Sequence, residues 1–148
     1  MNKAAQLYWE DYWGEQETPQ LVTAWQFGAS PDKLAQLVIE GTKTATCSAH
    51  MLYELENEPI PSINEYSILL SSIDEPVAMI KTTEVTVVPM NEVTEDFARA
   101  EGEGDRSYTY WWNVHEEFFK NELSAIGKEF SEDMLLVCER FELIDVKK

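Results

Sequence analysis

At 148 residues, 44% of them hydrophobic, the chain has enough apolar surface to bury a proper core as one globular domain over 1–148, with no need of disulfides or a structural metal. A net charge of -17 and a pI near 4.3 exclude broad, nonspecific binding to duplex DNA or RNA, which lysines and arginines supply by neutralising phosphates. The N-terminus lacks an uninterrupted apolar leader and no run of about 18 apolar residues occurs, so the expectation is a cytoplasmic protein with no membrane partner.

Residues from about 2 to 15 read as an amphipathic helix: Leu7, Tyr8 and Tyr12 share a stripe, Trp9 and Trp13 lie four apart beside it, and Gly14 stands near its end. Thr18 to Phe27 is free of acids and runs through Val22 and Trp25 to Gly28, which predicts a short strand and a turn. Ser30, Pro31 and Asp32 then supply an N-cap, a first-turn proline and a first-turn acid. The helix they start buries Leu34, Leu37 and Val38, and Gly41 fits the position just past its end.

From Gly41 to Tyr53 there is no carboxylate, a local exception in a chain with 28 acids. Here Lys43 stands among Thr42, Thr44 and Thr46; on an extended segment Lys43 shares a face with Ala45, and Thr44 with Thr46. Spacing alone favours a strand in which threonine is a good strand former and Lys43 is a solvated edge residue. A bend at a pocket would instead let ammonium and hydroxyl converge on one small polar group.

Ser48 reads as the cap of a short helix through Leu55, after which Pro59 and Pro61 break regular structure. Tyr66 to Ser71 and Val77 to Val88 read as strands of a central hairpin, with Val77, Met79, Val85 and Val87 on one face. Asn91 to Ala100 reads as a helix, and Tyr108 to about Ser124 as a longer one whose apolar stripe includes Trp111, His115, Phe119 and Leu123. Gly127 ends it, and Met134 to Ile144 reads as a closing strand.

Two stretches beyond Lys43 carry chemistry. In Glu101–Ser107, alternating glycines let backbone approach a ligand while Glu101, Glu103, Asp105 and Arg106 present charge; the spacing matches no calcium loop. The acid-free Arg106 to His115 run holds Tyr108, Tyr110, Trp111 and Trp112, a composition that stacks a base or packs a core. Cys47, His50, His115 and Cys138 are zinc-ligand types at poor spacing, so the expectation is buried thiols, no metal and no cofactor.

Together, Leu34 to Thr46, Thr82-Thr83-Glu84-Val85, Phe97-Ala98 ahead of Glu101 to Ser107, Trp111, and His115 to Phe119 resemble the ASCH domain family of the PUA-like superfamily, over roughly Trp25 to Leu143. The resemblance implies an α+β fold, a small mixed β-barrel flanked by helices, with a cleft beside the lysine-bearing segment. It implies a nucleoside- or RNA-directed protein: a metal-independent amidohydrolase of acylated cytidine-type substrates, or alternatively a ribonuclease or a non-catalytic RNA- or nucleotide-binding module. Carried over by motif, Lys43, Thr46 and Glu101 are the catalytic positions, with Thr46 the nucleophile, Lys43 its base and Glu101 the group that orients the lysine or donates a proton to the departing amine. Trp25, Thr44, Arg106, Ser107 and Tyr108 are the binding positions, for a modified nucleoside or a short single-stranded RNA. The chain departs from the pattern at Trp112, where many relatives carry arginine, and at Asn64-Glu65, where they carry a glycine-aspartate turn.

Overall fold

A computed structural model describes residues 1–148. In chain order the elements are α1 (Lys3–Trp13), β1 (Val22–Trp25), α2 (Pro31–Ile39), β2 (Ala45–Ala49), α3 (His50–Leu55), β3 (Tyr66–Leu70), β4 (Pro76–Pro89), α4 (Glu95–Glu101), α5 (Tyr108–Ser124) and β5 (Leu135–Val146). The strands form one mixed sheet in the order β1-β3-β4-β5-β2. β1 runs parallel to β3 and the other pairs are antiparallel. β1 and β2 are therefore the two open edges, and residues of both line one cleft, so the sheet curls toward a barrel and leaves its mouth between them.

Bulges produce the curl. The β4–β5 register shifts between Met79 and Ile80 and again between Thr82 and Glu84, and each extra residue bends and twists the ladder. The same shifts break the alternation read from the sequence: Met79 is fully buried, whereas Val87 is 38% exposed, so Val77, Met79, Val85 and Val87 do not share one buried face.

Helices cover the sheet with the stripes their spacing provides. Ala5, Tyr8 and Trp9 of α1 pack on Ile68, Leu70 and Met79. Trp111, Phe119 and Leu123 of α5 join Ala45, Ala49, Leu136 and Cys138 in the largest cluster, each large side chain contributing about 1.5–3 kcal/mol of transfer free energy. Asn2, Thr94 and Ser107 cap α1, α4 and α5 by accepting from backbone N–H groups one turn on.

Three local readings are corrected. Ser30 precedes α2 in a left-handed conformation (φ 44°) and does not cap it; Asp32 turns away to accept from the Ser72 amide and hydroxyl. Ser48 is a residue of β2 whose hydroxyl meets Tyr53, and Ala49 occupies the N-cap of α3. The helix read over 91–100 is split: a 3-10 turn at Met90–Glu92 precedes α4, because Thr94 starts a fresh cap. No helix is long and apolar enough to cross a membrane.

Candidate functional site

The site begins where α2 stops. Gly41 (φ +82°) takes the left-handed conformation after the last turn, and the Thr42 N–H donates back to the Leu37 carbonyl at 3.0 Å. The Thr44 N–H then donates to the Ala100 carbonyl at the end of α4 (2.7 Å), and the Phe141 N–H on β5 donates to the Thr44 carbonyl (3.0 Å). Gly102 (φ +73°) lies so close beneath this strand that a Cβ there would collide with the Thr42 carbonyl oxygen. Backbone contacts thus clamp the Lys43 segment to the end of α4.

Between them Lys43 is only 1% exposed, so it is not the solvated edge residue that spacing favoured. Its Nζ donates to Glu101 Oε1 at 3.1 Å and to Glu103 Oε2 at 3.0 Å, and lies 5.3 Å from the Phe27 ring centroid. Glu101 Oε2 in turn accepts from Trp111 Nε1 at 2.6 Å and the Cys47 thiol at 3.2 Å, with His115 Nε2 at 3.3 Å. His115 Nδ1 is 2.7 Å from the Trp111 carbonyl oxygen, which can only accept, so this nitrogen carries hydrogen. Because Nε2 faces a carboxylate, the arrangement suits the imidazolium. Two carboxylates and two cations then balance, which is how so much charge is tolerated away from water.

The proton affinities follow. Burial would lower the Lys43 pKa, but the carboxylates of Glu101 and Glu103 outweigh it and hold the ammonium charged, with the pKa above its ordinary value. Burial would raise Glu101, but Lys43 and His115, with hydrogen bonds from His115 and Trp111, hold it far below the usual carboxylate range. Burial would also lower His115, yet Glu101 raises it on balance. Burial, then the Glu101 charge, pushes the Cys47 thiol well up and Cys138 up to about 12, so neither is a thiolate nucleophile. The two cysteines face each other across β2 and β5 as free thiols.

This cluster forms the inner end of a cleft. The outer part, about 430 Å³, is lined by Thr23 and Trp25 of β1, Thr46 and Ser48 of β2, Tyr53, Ser67, Phe118 and the acids Glu58, Glu65, Glu122 and Glu139. It contains no lysine, arginine or histidine. Through Phe27, Gly28, Thr46, Cys47 and Phe118 it continues into a chamber of about 80 Å³ holding Lys43, Glu101, Glu103 and His115.

Of the positions expected from the sequence, Lys43, Thr46, Glu101 and Trp25 meet here. Thr44, Arg106, Ser107 and Tyr108 do not line it. The Thr44 hydroxyl donates to the Ala100 carbonyl. Arg106, itself at φ +65°, donates from its guanidinium to the Arg99 carbonyl. Ser107 caps α5, and Tyr108 stacks against Trp111 and Trp112. Sequence reasoning missed Glu103 on the lysine, the donors Trp111 and His115 on Glu101, and Glu139 in the cleft wall. The available signal was the i,i+4 spacing of Trp111 and His115, which places both on one face of α5.

Cys47, Glu101 and His115 present ligand atoms within 4.8 Å of one another. The Glu101 oxygens are already committed to Trp111 and Lys43, and an ammonium 3.1 Å away repels a second cation. The donor set fits a charge-balanced hydrogen-bond network better than a metal centre.

Residues 23–145 match the family model for the ASCH domain. The fold is similar to that of an ASCH domain from Lactobacillus crispatus JV V101 (TM-score 0.90, 33% identity, 97% of this chain and 95% of that one). It is also similar to a protein of Enterococcus faecalis V583 (TM-score 0.87, 38% identity, 99% and 91%). An ASCH protein of Zymomonas mobilis, 9% identical with TM-score 0.50 over 85% of this chain and 67% of that one, is alike in fold alone. Among curated proteins none matches.

Proposed function

Because the chain belongs to the ASCH domain family, we propose that it is a hydrolase of N-acylated nucleosides, an amidohydrolase of the acylated-cytidine type, acting in the cleft that ends at Lys43. The observation that carries this reading is that Thr46 lines both a nucleoside-sized cleft and the adjoining chamber that holds the buried, charge-balanced Lys43–Glu101–Glu103 cluster. Thr46 is the nucleophile. Lys43, kept charged by two carboxylates, stabilises the oxyanion that develops on the acyl carbonyl; this replaces the role of base expected from the family. Glu101, with Trp111 and His115, fixes the lysine in place.

The cleft wall favours a free nucleoside over RNA. Four glutamates line it and no cation faces it outside the lysine chamber, so a phosphodiester backbone would meet repulsion and find no guanidinium to pair with. Trp25, Phe27, Tyr53 and Phe118 supply apolar and aromatic surface for a base.

The test is release of free cytidine and carboxylic acid from a panel of N4-acylated cytidines, run beside short single-stranded RNAs. Thr46→Ala is expected to abolish turnover while leaving affinity within about twofold, since it removes a group needed only in the chemical step. Lys43→Ala is expected to damage both. Folded parent protein that releases no cytidine from any acylated nucleoside refutes the reading.

A further inference from the structure

We propose that Glu139 is the general acid–base group of this site, exchanging the Thr46 hydroxyl proton from across the β2–β5 ladder; the proposal rests on the amidohydrolase reading of the cleft. Thr46 and Glu139 are direct cross-strand partners. Residues so paired point to the same face with Cβ atoms about 4.5–5.5 Å apart, which brings hydroxyl and carboxyl within reach directly or through one water. Both side chains line the same cleft. The neighbours of Glu139 on β5, Cys138 and Arg140, line a depression on the opposite side of the sheet, as strand alternation requires.

Glu139 is 8% exposed, and its one side-chain hydrogen bond, from Thr82 Oγ1 to Oε1 at 3.3 Å, leaves Oε2 open to the cleft. A buried carboxylate without a cation is costly to keep ionised, so such a group is held toward its protonated form. The groups facing it are Thr82 of β4, Thr46 of β2, Tyr53 of α3, Glu65 just before β3, and, across the cleft, Glu58 and Glu122 of α5's outer face. Burial, reinforced by the Glu65 charge and opposed by the Thr82 hydrogen bond, pushes its carboxyl up to about 7, where a group can both accept and return a proton near neutrality. Lys43, the other candidate base, is bracketed by two carboxylates as an ammonium and has no lone pair to offer.

The step balances with water as the only co-reactant. As Thr46 Oγ bonds to the acyl carbon, its proton passes to the Glu139 carboxylate. The resulting carboxyl gives that proton to the amide nitrogen as the C–N bond breaks and the amine leaves with the bonding pair. Water then bonds to the acyl carbon of the threonyl ester and gives a proton to Glu139, which returns it to Thr46 Oγ as the ester bond breaks. One amide and one water yield one acid and one amine.

The experiment is kcat/KM for N4-acylated cytidines as a function of pH, for the parent, Glu139→Gln, Glu139→Asp and Glu65→Gln. The parent should show an ascending limb near neutral pH. Glu139→Gln should lose about 10²-fold or more together with that limb, the usual contribution of a positioned acid–base group. Glu139→Asp keeps a carboxyl drawn back by one methylene, so it should recover part of the rate with the limb displaced. Glu65→Gln should keep the limb but move it to lower pH, because a charge that helps to raise the Glu139 carboxyl is removed. Glu139→Gln that retains the parental rate within about threefold and the same limb overturns the proposal while the hydrolase reading stands. A folded parent with no turnover sinks both. If Glu139→Gln fails to fold, Glu139→Asp decides: an unchanged rate and limb overturn the role, and a slowed rate with a displaced limb supports it.

Discussion

Glu139→Gln also has a consequence for stability that needs no substrate to measure. A carboxyl that titrates at about 7 in the folded protein, against an ordinary 4.5, keeps its proton in the folded state over a window where the unfolded chain has released it. The folded state then binds more protons, so stability falls as pH rises from 4.5 toward 7. At about 1.4 kcal/mol per pH unit, the loss reaches about 3 kcal/mol, most of it between about pH 5 and about pH 8. Glutamine has nearly the same shape and no charge to desolvate, so the variant should escape this loss, apart from about 1 kcal/mol for a poorer partner to Thr82. The raised His115 gives its own decline, since it stabilises as a cation below its unfolded pKa and loses that contribution as pH climbs through the folded one. Parent and variant share that background, so their difference isolates Glu139. Urea unfolding followed by tryptophan fluorescence at the two pH values should show the variant gaining on the parent by about 2 kcal/mol at the higher pH relative to the lower. Equal losses in both proteins would refute the argument and mean that Glu139 is adequately solvated.

Other perturbations read the rest of the site. Glu101→Ala leaves Lys43 and His115 buried with Glu103 as their remaining carboxylate, and should destabilise by about 3–5 kcal/mol in urea unfolding; a loss below about 1 kcal/mol would mean that the cluster is solvated. Gly102→Ala should cost about 1–3 kcal/mol and reduce turnover, because the new Cβ meets the Thr42 carbonyl at a left-handed φ and forces the Lys43 segment off α4; unchanged thermal stability would refute the clamp. Arg106→Ala should leave affinity for nucleosides and nucleotides alike within about twofold, since its guanidinium serves the Arg99 carbonyl; selective loss of nucleotide binding by calorimetry would place it in the cleft. Added zinc should neither raise the melting temperature nor change turnover, because Lys43 and Trp111 already occupy Glu101; a stoichiometric stabilising site would contradict that.

The sequence by itself determined the elements whose causes are local. The helix from Tyr108 to Ser124 was legible because a 3.6-residue apolar stripe and a following glycine are local signals, although its serine cap, Ser107, was read as a binding position. The end of α2 at Gly41 was legible for the same reason, and the motifs around Lys43, Glu101 and Trp111, taken together, were enough to identify the family. Where two local signals competed, the result depended on neighbours. Ser48 has the chemistry of a cap, but its backbone is taken into the β2–β5 ladder, and Ser30 stands before α2 in a left-handed conformation from which its hydroxyl makes no capping bond. The face assignments in β4 failed because a bulge is a property of a strand pair, invisible in either strand alone.

Only the tertiary structure decided the electrostatics of the site. Lys43 looked like a solvated strand residue because nothing in its own segment shows that Glu101 and Glu103 will arrive from a helix end about sixty positions on. His115 and Trp111 read as core, and they are core, but their nitrogens aim at the one carboxylate buried among them. The pairing of Thr46 with Glu139 is set by the register of β2 on β5, fixed when both strands bury their alternate faces. A charge's proton affinity depends on which groups lie within a few ångströms and how much water is left, and chain folding, through contacts remote in sequence, sets both.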